Sequence, residues 1–416
     1  MERYYLLIVT NSLHSFMNAN SEIAYRVAHY LNDHYNCRIM VLGYDYSGNS
    51  KPIKLQDDFT VVPIDSIGKL SAIQQRYTNR FFRLLSIFAH PDCWRYFLIQ
   101  KFCSCEYRLS VEYARMIRKL LRANQIDCII GFSYPVEIPK ALSYVDTNVP
   151  YIVYKLDPWS SHYTLKNRDD EKQDEHLAEE KAAAIITTRL IRKDYPPDTD
   201  PSILKKIHVL EFPNIVEIQP GTDAGTFLKG EKIHCVFAGS LYPDIRNPVF
   251  TIRLFERLKD DSIVFHLFSM QDYDKFLPCK PPENVLFHGA VDSDTARSVM
   301  CAADILVNIG NTIPNQMPSK ILTYISLGLP ILNVVKISDC PTLSYLQKYP
   351  LALNIEETQE PSEEAVEQTR SFILKNRGKR IPFETIKRLY SSCTLEYVGS
   401  QVYNIVCSAV EEAGKE

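Results

Sequence analysis

Glycine is scarce in this chain, with 14 residues among 416, and the first predicted strand–helix loop contains none. That loop spans residues 10–20, after an apolar run at 4–9 and before a helical pattern from about 21 to 35. A dinucleotide-binding Rossmann site needs glycines there, because the backbone must approach a pyrophosphate closely. Their absence disfavours nicotinamide chemistry.

Long apolar segments and metal-binding cysteine patterns are also missing. No apolar run approaches the roughly 18 residues of a membrane-spanning helix, and no segment has the pattern of a signal peptide. The eleven cysteines are scattered, and Cys103 and Cys105 have no second pair at zinc spacing, so we expect no metal site. This pattern predicts reduced thiols in a cytoplasmic protein. A net charge of −3 argues against nucleic acid as a partner.

Short apolar runs alternate with helical periodicity along most of the chain. In the second half the predicted strands are 233–238, 263–268, 285–288, 304–309 and 331–335. Such alternation predicts an α/β fold with two Rossmann-like, doubly wound parallel-sheet domains facing across a cleft. We place the first domain at 1–214, a polar linker at 215–231 and the second domain at 232–389.

One strand–helix–strand unit carries a candidate anion site. Pro318 suits a first helical turn, Gly328 suits the position after the helix, and 331–335 is the next buried strand. A helix N-terminus attracts anions, and Ser319 and Lys320 add a hydroxyl and a full positive charge there. This predicts a diphosphate site without a P-loop. A capped helix with a solvated lysine is the alternative.

The turn after the strand at 233–238 is the second informative motif. Gly239 permits close approach to the backbone, and Ser240 follows it. Arg246 lies just before a helix that begins near Asn247, which is again a natural position for a diphosphate.

These two motifs together resemble the donor-binding segments of GT-B glycosyltransferases, particularly bacterial capsule and lipopolysaccharide enzymes related to family four. The segment PSKILTYISLGLPI matches the family pattern except at Thr323, where the family has an acidic residue that holds the ribose. Asn315 stands where many members have a second Glu. The resemblance covers the second domain and, more loosely, the strand order of the first.

The resemblance implies metal-independent transfer of a sugar from a UDP- or GDP-sugar to a glycan or lipid-linked acceptor in cell-surface polysaccharide biosynthesis, with retention of configuration. Arg246 and Lys320 would stabilise the leaving diphosphate. The implied donor-binding residues are Gly239, Ser240, Arg246, Asn315, Gln316, Pro318, Ser319, Lys320, Thr323 and Tyr324. Two alternatives are a sugar-nucleotide 2-epimerase and a non-catalytic sugar-nucleotide-binding protein, the latter suggested by Thr323 and Asn315.

The first domain carries the candidate acceptor-side residues. His14, Asn18 and Asn20 lie in or next to the loop that faces the cleft in GT-B enzymes, although plain loop polarity is the alternative. Asp157 and His162 follow the strand at 151–156 and are the candidate catalytic residues there; an Asp-Pro turn is the alternative. By the same resemblance, a C-terminal helix at about 390–416 packs back on this domain.

Residues 70–123 combine ten Lys or Arg with three acidic residues and many aromatic rings. Such a segment contacts an anionic membrane surface or forms the outer face of core helices. The membrane interpretation predicts that the protein associates peripherally with the inner face of the cytoplasmic membrane. RNA binding is a weaker option.

Overall fold

The structure is a computed structural model of the 416-residue chain. It describes residues 3–13, 19–44, 53–64, 89, 105–133, 137–159, 168–219, 226–258, 260, 262–271, 273–277, 280–318 and 320–415. His14, Asn18, His162 and Ser319, and residues 70–88 and 90–104 of the basic segment, lie outside this described part.

The chain divides into two compact units. The first comprises Met1–Pro213 together with Leu395–Glu416, and the second comprises Asn214–Thr394. The division differs from the predicted one in two respects: the residues predicted as a linker belong to the second unit, and that unit continues five residues beyond 389.

An eight-stranded sheet forms the centre of the first unit. Its strands are β1 Tyr5–Ser12, β2 Arg38–Tyr44, β3 Ile53–Gln56, β4 Phe59–Pro63, β5 Cys128–Ser133, β6 Tyr151–Lys155, β7 Ala184–Thr187 and β8 Ile207–Val209. Their spatial order is β3-β4-β2-β1-β5-β6-β7-β8, and every pairing is parallel except that between β3 and β4. β1, β5 and β6 are almost wholly buried, which explains their nearly continuous apolar sequences.

Helices cover the faces of this sheet. They are α1 Ala19–Tyr35, α2 Cys105–Ala123, α3 Glu137–Ser143, α4 Arg168–Lys181, α5 Arg189–Arg192, α6 Pro201–Leu204 and the C-terminal helix. That last helix, Leu395–Ala413, contacts α1, and a β-carbon added at Gly399 would lie 2.2 Å from the ring of Tyr30. Glycine is therefore needed where the two helices meet.

A six-stranded, all-parallel sheet forms the centre of the second unit. Its strands are β9 Ile233–Ala238, β10 Ile263–Phe268, β11 Val285–Gly289, β12 Ile305–Ile309, β13 Ile331–Val335 and β14 Ala352–Glu356. Their order is β11-β10-β9-β12-β13-β14. Because the order reverses direction at β9 and β12, the sheet is doubly wound, and a crevice opens at the carboxyl ends of these two strands.

Helices connect these strands in the alternation that the sequence predicts. They are α7 Val249–Leu258, α8 Ser293–Ala302, α9 Lys320–Leu327, α10 Pro341–Leu346, α11 Glu363–Asn376 and α12 Phe383–Leu389; the C-terminal helix is α13. α9 ends at Gly328, where φ is +70° and a β-carbon would lie 2.2 Å from the carbonyl oxygen of Ile381. Both facts require glycine, as predicted for the position after the helix. Among the described helices, none is long and apolar enough to cross a membrane.

Candidate functional site

Two loops that are far apart in the sequence meet at the carboxyl edge of the second sheet. The first follows β9 and the second follows β12, the strand next to it. The backbone N–H of Thr312 donates to the carbonyl of Ile245 at 3.0 Å, and the Thr312 hydroxyl donates to the carbonyl of Asp244 at 3.3 Å. The two motifs of the sequence analysis are therefore joined directly by hydrogen bonds.

Lys320, the first residue of α9, lies over the turn after β9. A β-carbon built on Gly239 would be 3.6 Å from Cδ and 3.7 Å from Cε of Lys320. The stem of the lysine thus runs across the bare backbone of the glycine. Glycine at this position lets a cationic side chain, as well as a ligand, approach the strand end.

Arg246 contacts the same turn. Its Nη1 donates to the carbonyl oxygen of Ser240 at 3.3 Å, and its side chain is half-buried. The two predicted cations, Lys320 and Arg246, therefore contact consecutive residues of one turn. The structure thus brings both side chains to the turn after β9.

A cavity of about 170 Å³ adjoins this turn. Its lining residues are Ala238, Gly239, Ser240, Phe268, Ser269, Met270, Ala290, Val291, Ala296 and Lys320. Among these described residues, Lys320 is the one with a charge, and the rest are small, apolar or hydroxyl-bearing. The cavity can hold a ligand that is anionic at one end and weakly polar at the other.

The remaining predicted donor residues lie around the second loop. Pro318 is buried, and its carbonyl accepts from the N–H of Ile321 at 3.1 Å, which begins the helix. Gln316 is half-buried, as is Asn315, and the Gln316 carbonyl accepts from Nδ2 of Asn311 at 3.1 Å. Thr323 is half-buried on α9.

The structure corrects the interpretation of Tyr324. The family resemblance places this residue among those that bind the donor, but its side chain is only 1% exposed. Its hydroxyl accepts from the backbone N–H of Ala238 at 3.3 Å, and burial raises the pKa of Tyr324 to about 12. The Tyr324 hydroxyl therefore binds the backbone at the end of β9, and the residue does not line the cavity.

In the first unit, two predicted acceptor-side residues contact each other. Nδ2 of Asn20, the second residue of α1, donates to Oδ2 of Asp157 at 2.7 Å. Asp157 follows β6, so the contact joins the carboxyl ends of β1 and β6. Next to Asn20, the buried hydroxyl of Ser21 accepts from the hydroxyl of Thr10 at 3.0 Å.

Sequence reasoning missed a buried ion network beside Asp157. Nζ of Lys155 donates to Glu179 at 2.6 Å, to Tyr195 at 3.1 Å and also to Glu175. Burial opposes the charge of Lys155, but the two glutamates outweigh this and hold its pKa well above the ordinary value. The signal was available in α4, whose acidic residues recur at helical spacing on one face.

A third cation at the edge of the second sheet was also missed. Lys336 directly follows β13, is paired with Glu357 and has a side chain that is 3% exposed. Burial lowers the pKa of Lys336; its pairing with Glu357 opposes this effect, and the nearby charge of Arg246 adds to it. Within the described part of the chain, no group of three or more His, Cys, Asp or Glu residues could hold a metal ion.

Comparison with solved structures identifies the fold. A glycosyltransferase from Rickettsia africae superposes with a TM-score of 0.62 at 12% identity, with 99% of each chain covered. WaaG, a glycosyltransferase involved in lipopolysaccharide biosynthesis, superposes with a TM-score of 0.52 at 12% identity, over 98% of this chain and 99% of that one. The chain has the GT-B fold.

A non-transferase shares this GT-B architecture. The UDP-GlcNAc 2-epimerase from Methanocaldococcus jannaschii superposes with a TM-score of 0.54 at 8% identity, over 97% of this chain and 99% of that one. Identities this low establish the fold alone. The sequence matches no family model, and comparison with curated proteins finds no relative. Within the GT-B fold, function must therefore be argued from the site.

Proposed function

We propose that this chain is a glycosyltransferase that moves a sugar from a nucleotide-diphosphate donor to a glycan or lipid-linked acceptor. The observation that carries the proposal is the meeting of Lys320 and Arg246 on the Gly239–Ser240 turn. In doubly wound sheets, ligands bind in the crevice at the carboxyl ends of the strands, and this turn occupies that position.

The proposed chemistry requires positive charge where the diphosphate leaves. When the bond between the sugar and the diphosphate breaks, negative charge develops on the leaving phosphate oxygens. Lys320, Arg246 and the N–H groups at the start of α9 are oriented before the reaction begins, so they stabilise that charge without reorganisation. In this proposal the protein cations neutralise the diphosphate and no metal is required; retention of configuration follows the resemblance to family four.

The cavity suggests how the donor is oriented. Lys320 marks its phosphate end, whereas Phe268, Met270 and Val291 form apolar walls for the nucleoside. Thr323 and Asn315 would offer hydrogen bonds to hydroxyls in place of the family's carboxylates. The UDP-GlcNAc 2-epimerase similarity favours a UDP-sugar over a GDP-sugar as the first donor to test.

Asp157 is the proposed acceptor-side group in the first unit. Its carboxylate accepts from Asn20, which restricts the rotation of the side chain. A carboxylate held in this way can orient an acceptor hydroxyl or take its proton. The similarity to WaaG, a glycosyltransferase involved in lipopolysaccharide biosynthesis, supports a role in making a cell-surface polysaccharide. In this proposal the chain works at the cytoplasmic face of the membrane.

A sugar-nucleotide 2-epimerase is the second candidate, because an epimerase shares the fold over nearly the whole chain. Incubation with the donor alone separates the two, since an epimerase changes the free nucleotide sugar without any acceptor. A non-catalytic binding protein would bind the donor and leave it unchanged.

The test is a panel of UDP- and GDP-sugars, screened by thermal stabilisation and then by transfer to lipid-linked acceptors. Binding of the best donor is then measured again with Lys320→Met and with Arg246→Met. A separate variant, Lys172→Met, is the control for loss of an exposed lysine in the first unit. We expect at least a tenfold loss of affinity in both site variants, as for loss of a charged hydrogen bond. Undiminished binding in both site variants would refute the proposed site.

A further inference from the structure

Three histidines form a hydrogen-bonded row across neighbouring strands of the second sheet. Nδ1 of His234 in β9 lies 3.0 Å from Nε2 of His266 in β10, and Nδ1 of His266 lies 2.9 Å from Nε2 of His288 in β11. His266 is opposite Val236 and Leu286, each two residues from the next histidine, so all three rings share one face of the sheet. Both ring nitrogens of His266 are used within the row.

The row ends at the wall of the donor cavity. The ring of His288 stacks on Phe268, a cavity-lining residue, with ring centres 4.4 Å apart and planes 15° apart. The N–H of Ser269 donates to the carbonyl of Gly289 at 3.0 Å, which ties the ends of β10 and β11 together. The residue after Gly289, Ala290, is again part of the cavity lining. His288 therefore lies directly behind this wall.

We propose that His288 is a positioning residue of the donor cavity, held against Phe268 by His266 and His234, and that it holds the wall in place only while the row carries no more than one extra proton. The proposal rests on the proposed function, because the ligand of the cavity is the donor. It goes beyond the proposed function in two ways: it assigns a role to a residue that does not touch the donor, and it makes donor binding depend on pH.

The physical reason is the small number of protons that the row can hold. Each neutral imidazole has one donor and one acceptor, so two links need only the protons already present. Two extra protons would place two donors against each other across one link of about 3 Å. Movement of His288 toward water relieves this conflict and withdraws support from Phe268.

The surroundings keep the row neutral at ordinary pH. Burial lowers the pKa of His288, and burial together with the two flanking imidazoles lowers the pKa of His266 to about 3. Burial also lowers the pKa of His234; the Asp304 carboxylate and the Gly230 backbone oppose this, whereas Arg377 and Lys232 add to it. Around His288 the neighbours are the rings of Phe268 and Phe227. Protonation therefore begins below the ordinary histidine range.

The direction in which acidification changes the diphosphate affinity distinguishes a positioning role of the row from a role as a source of positive charge. If the row acted only as a source of positive charge, acidification would strengthen diphosphate binding. Positioning predicts the reverse: affinity is constant above about pH 6 and weakens below it, by up to about tenfold per pH unit for each coupled proton.

The experiment compares UDP and inorganic pyrophosphate binding by calorimetry from pH 8 to pH 5.5. His266→Phe keeps a ring beside His288, where the planes are 9° apart, but removes both links. We expect it to weaken UDP binding about three- to tenfold at pH 8 and to flatten the pH profile. Comparing variants with one ligand cancels the titration of the ligand itself.

A matched control comes from the same face of the sheet. Asn333 is 0% exposed and also forms the centre of a polar row, with Nδ2 of Asn308 2.7 Å from its Oδ1 and its Nδ2 2.8 Å from Oδ1 of Asn354. We expect Asn333→Leu to lower stability and to keep the wild-type pH profile. A His266→Phe profile identical to wild type, or stronger wild-type binding on acidification, would overturn the proposal.

A second measurement needs no ligand and no variant. In nitrogen-15 histidine spectra of the wild-type chain, we expect the three imidazoles to remain neutral down to pH 6 and to titrate together below it. Independent titration of the three near pH 6.5 would refute the row as a unit. If neither UDP nor pyrophosphate binds at pH 8, the proposed function fails, and the spectra still decide whether the row exists.

Discussion

The side chain of Lys320 crosses Gly239 so closely that a β-carbon at residue 239 would lie 3.6 Å from its Cδ. The same β-carbon would be 3.2 Å from Cζ of Phe237. A β-carbon at this position would therefore be in ordinary contact with the lysine stem and in tight contact with the ring of Phe237. Because this contact joins the two sequence motifs, it is the sharpest place to test the site.

Gly239→Ala should crowd the turn beside Lys320 and weaken donor binding by about three- to tenfold. The added methyl group covers the backbone that a ligand would approach, touches the lysine stem and presses on the ring of Phe237. A double-mutant cycle with Lys320→Met, measured by donor titration, should show that the two effects are not additive. Gly414→Ala, directly after the C-terminal helix, is the control and should bind donor normally. Full additivity would mean that the glycine acts without the lysine.

Tyr324→Phe should destabilise the second unit by about 1–2 kcal/mol, because the buried N–H of Ala238 loses its acceptor. Urea unfolding measures this, and Tyr242→Phe, on a side chain that is 44% exposed, should change stability by less than about 0.5 kcal/mol. If stability is unchanged while donor binding is lost, the hydroxyl contacts the donor as the sequence analysis predicted.

Asp157→Asn should reduce sugar transfer by about a hundredfold and leave donor affinity unchanged, since a catalytic carboxylate on the acceptor side contributes to the reaction and not to donor binding. Asn20→Ala removes the 2.7 Å hydrogen bond to Asp157 and should have a smaller effect of the same kind. Transfer kinetics and donor titration separate the two quantities. Asp146→Asn, at an exposed position of the same unit, is the matched control. Equal transfer by all three variants would remove Asp157 from the mechanism.

Lys155→Met should destabilise the first unit by about 3–5 kcal/mol, because Glu175 and Glu179 lose the cation that offsets their burial. The folded-state pKa of Lys155 is raised, so its contribution is fully present below its unfolded pKa of about 10.4 and is lost only as pH rises through the folded value.

The stability gap between wild type and Lys155→Met should therefore stay constant from pH 7 to pH 9 in urea titrations. Lys172→Met removes an exposed lysine from α4, the helix that carries Glu175 and Glu179, and should have little effect. A gap that closes within this pH range would show that Lys155 is not held by the two glutamates.

Local sequence patterns account for the elements of the fold. The predicted strands 233–238, 263–268 and 331–335 coincide with β9, β10 and β13, because buried parallel strands are short, continuous apolar runs between helices. The helix start at Pro318 and the left-handed Gly328 are likewise properties of adjacent residues. Sequence patterns predict partly buried elements less well. Strands β3 and β14 and the break between α12 and α13 were not predicted, since apolar periodicity in these segments is short or mixed with charged residues.

The sequence by itself determined the alternating α/β architecture, the GT-B resemblance and the identity of the cationic side chains, since each is encoded in neighbouring residues. The tertiary structure alone decided which side chains meet: Lys320 over Gly239, Asn20 on Asp157, and the histidine row across β9, β10 and β11. Such contacts depend on strand order and register, which are set by the packing of whole sheets rather than by any local pattern.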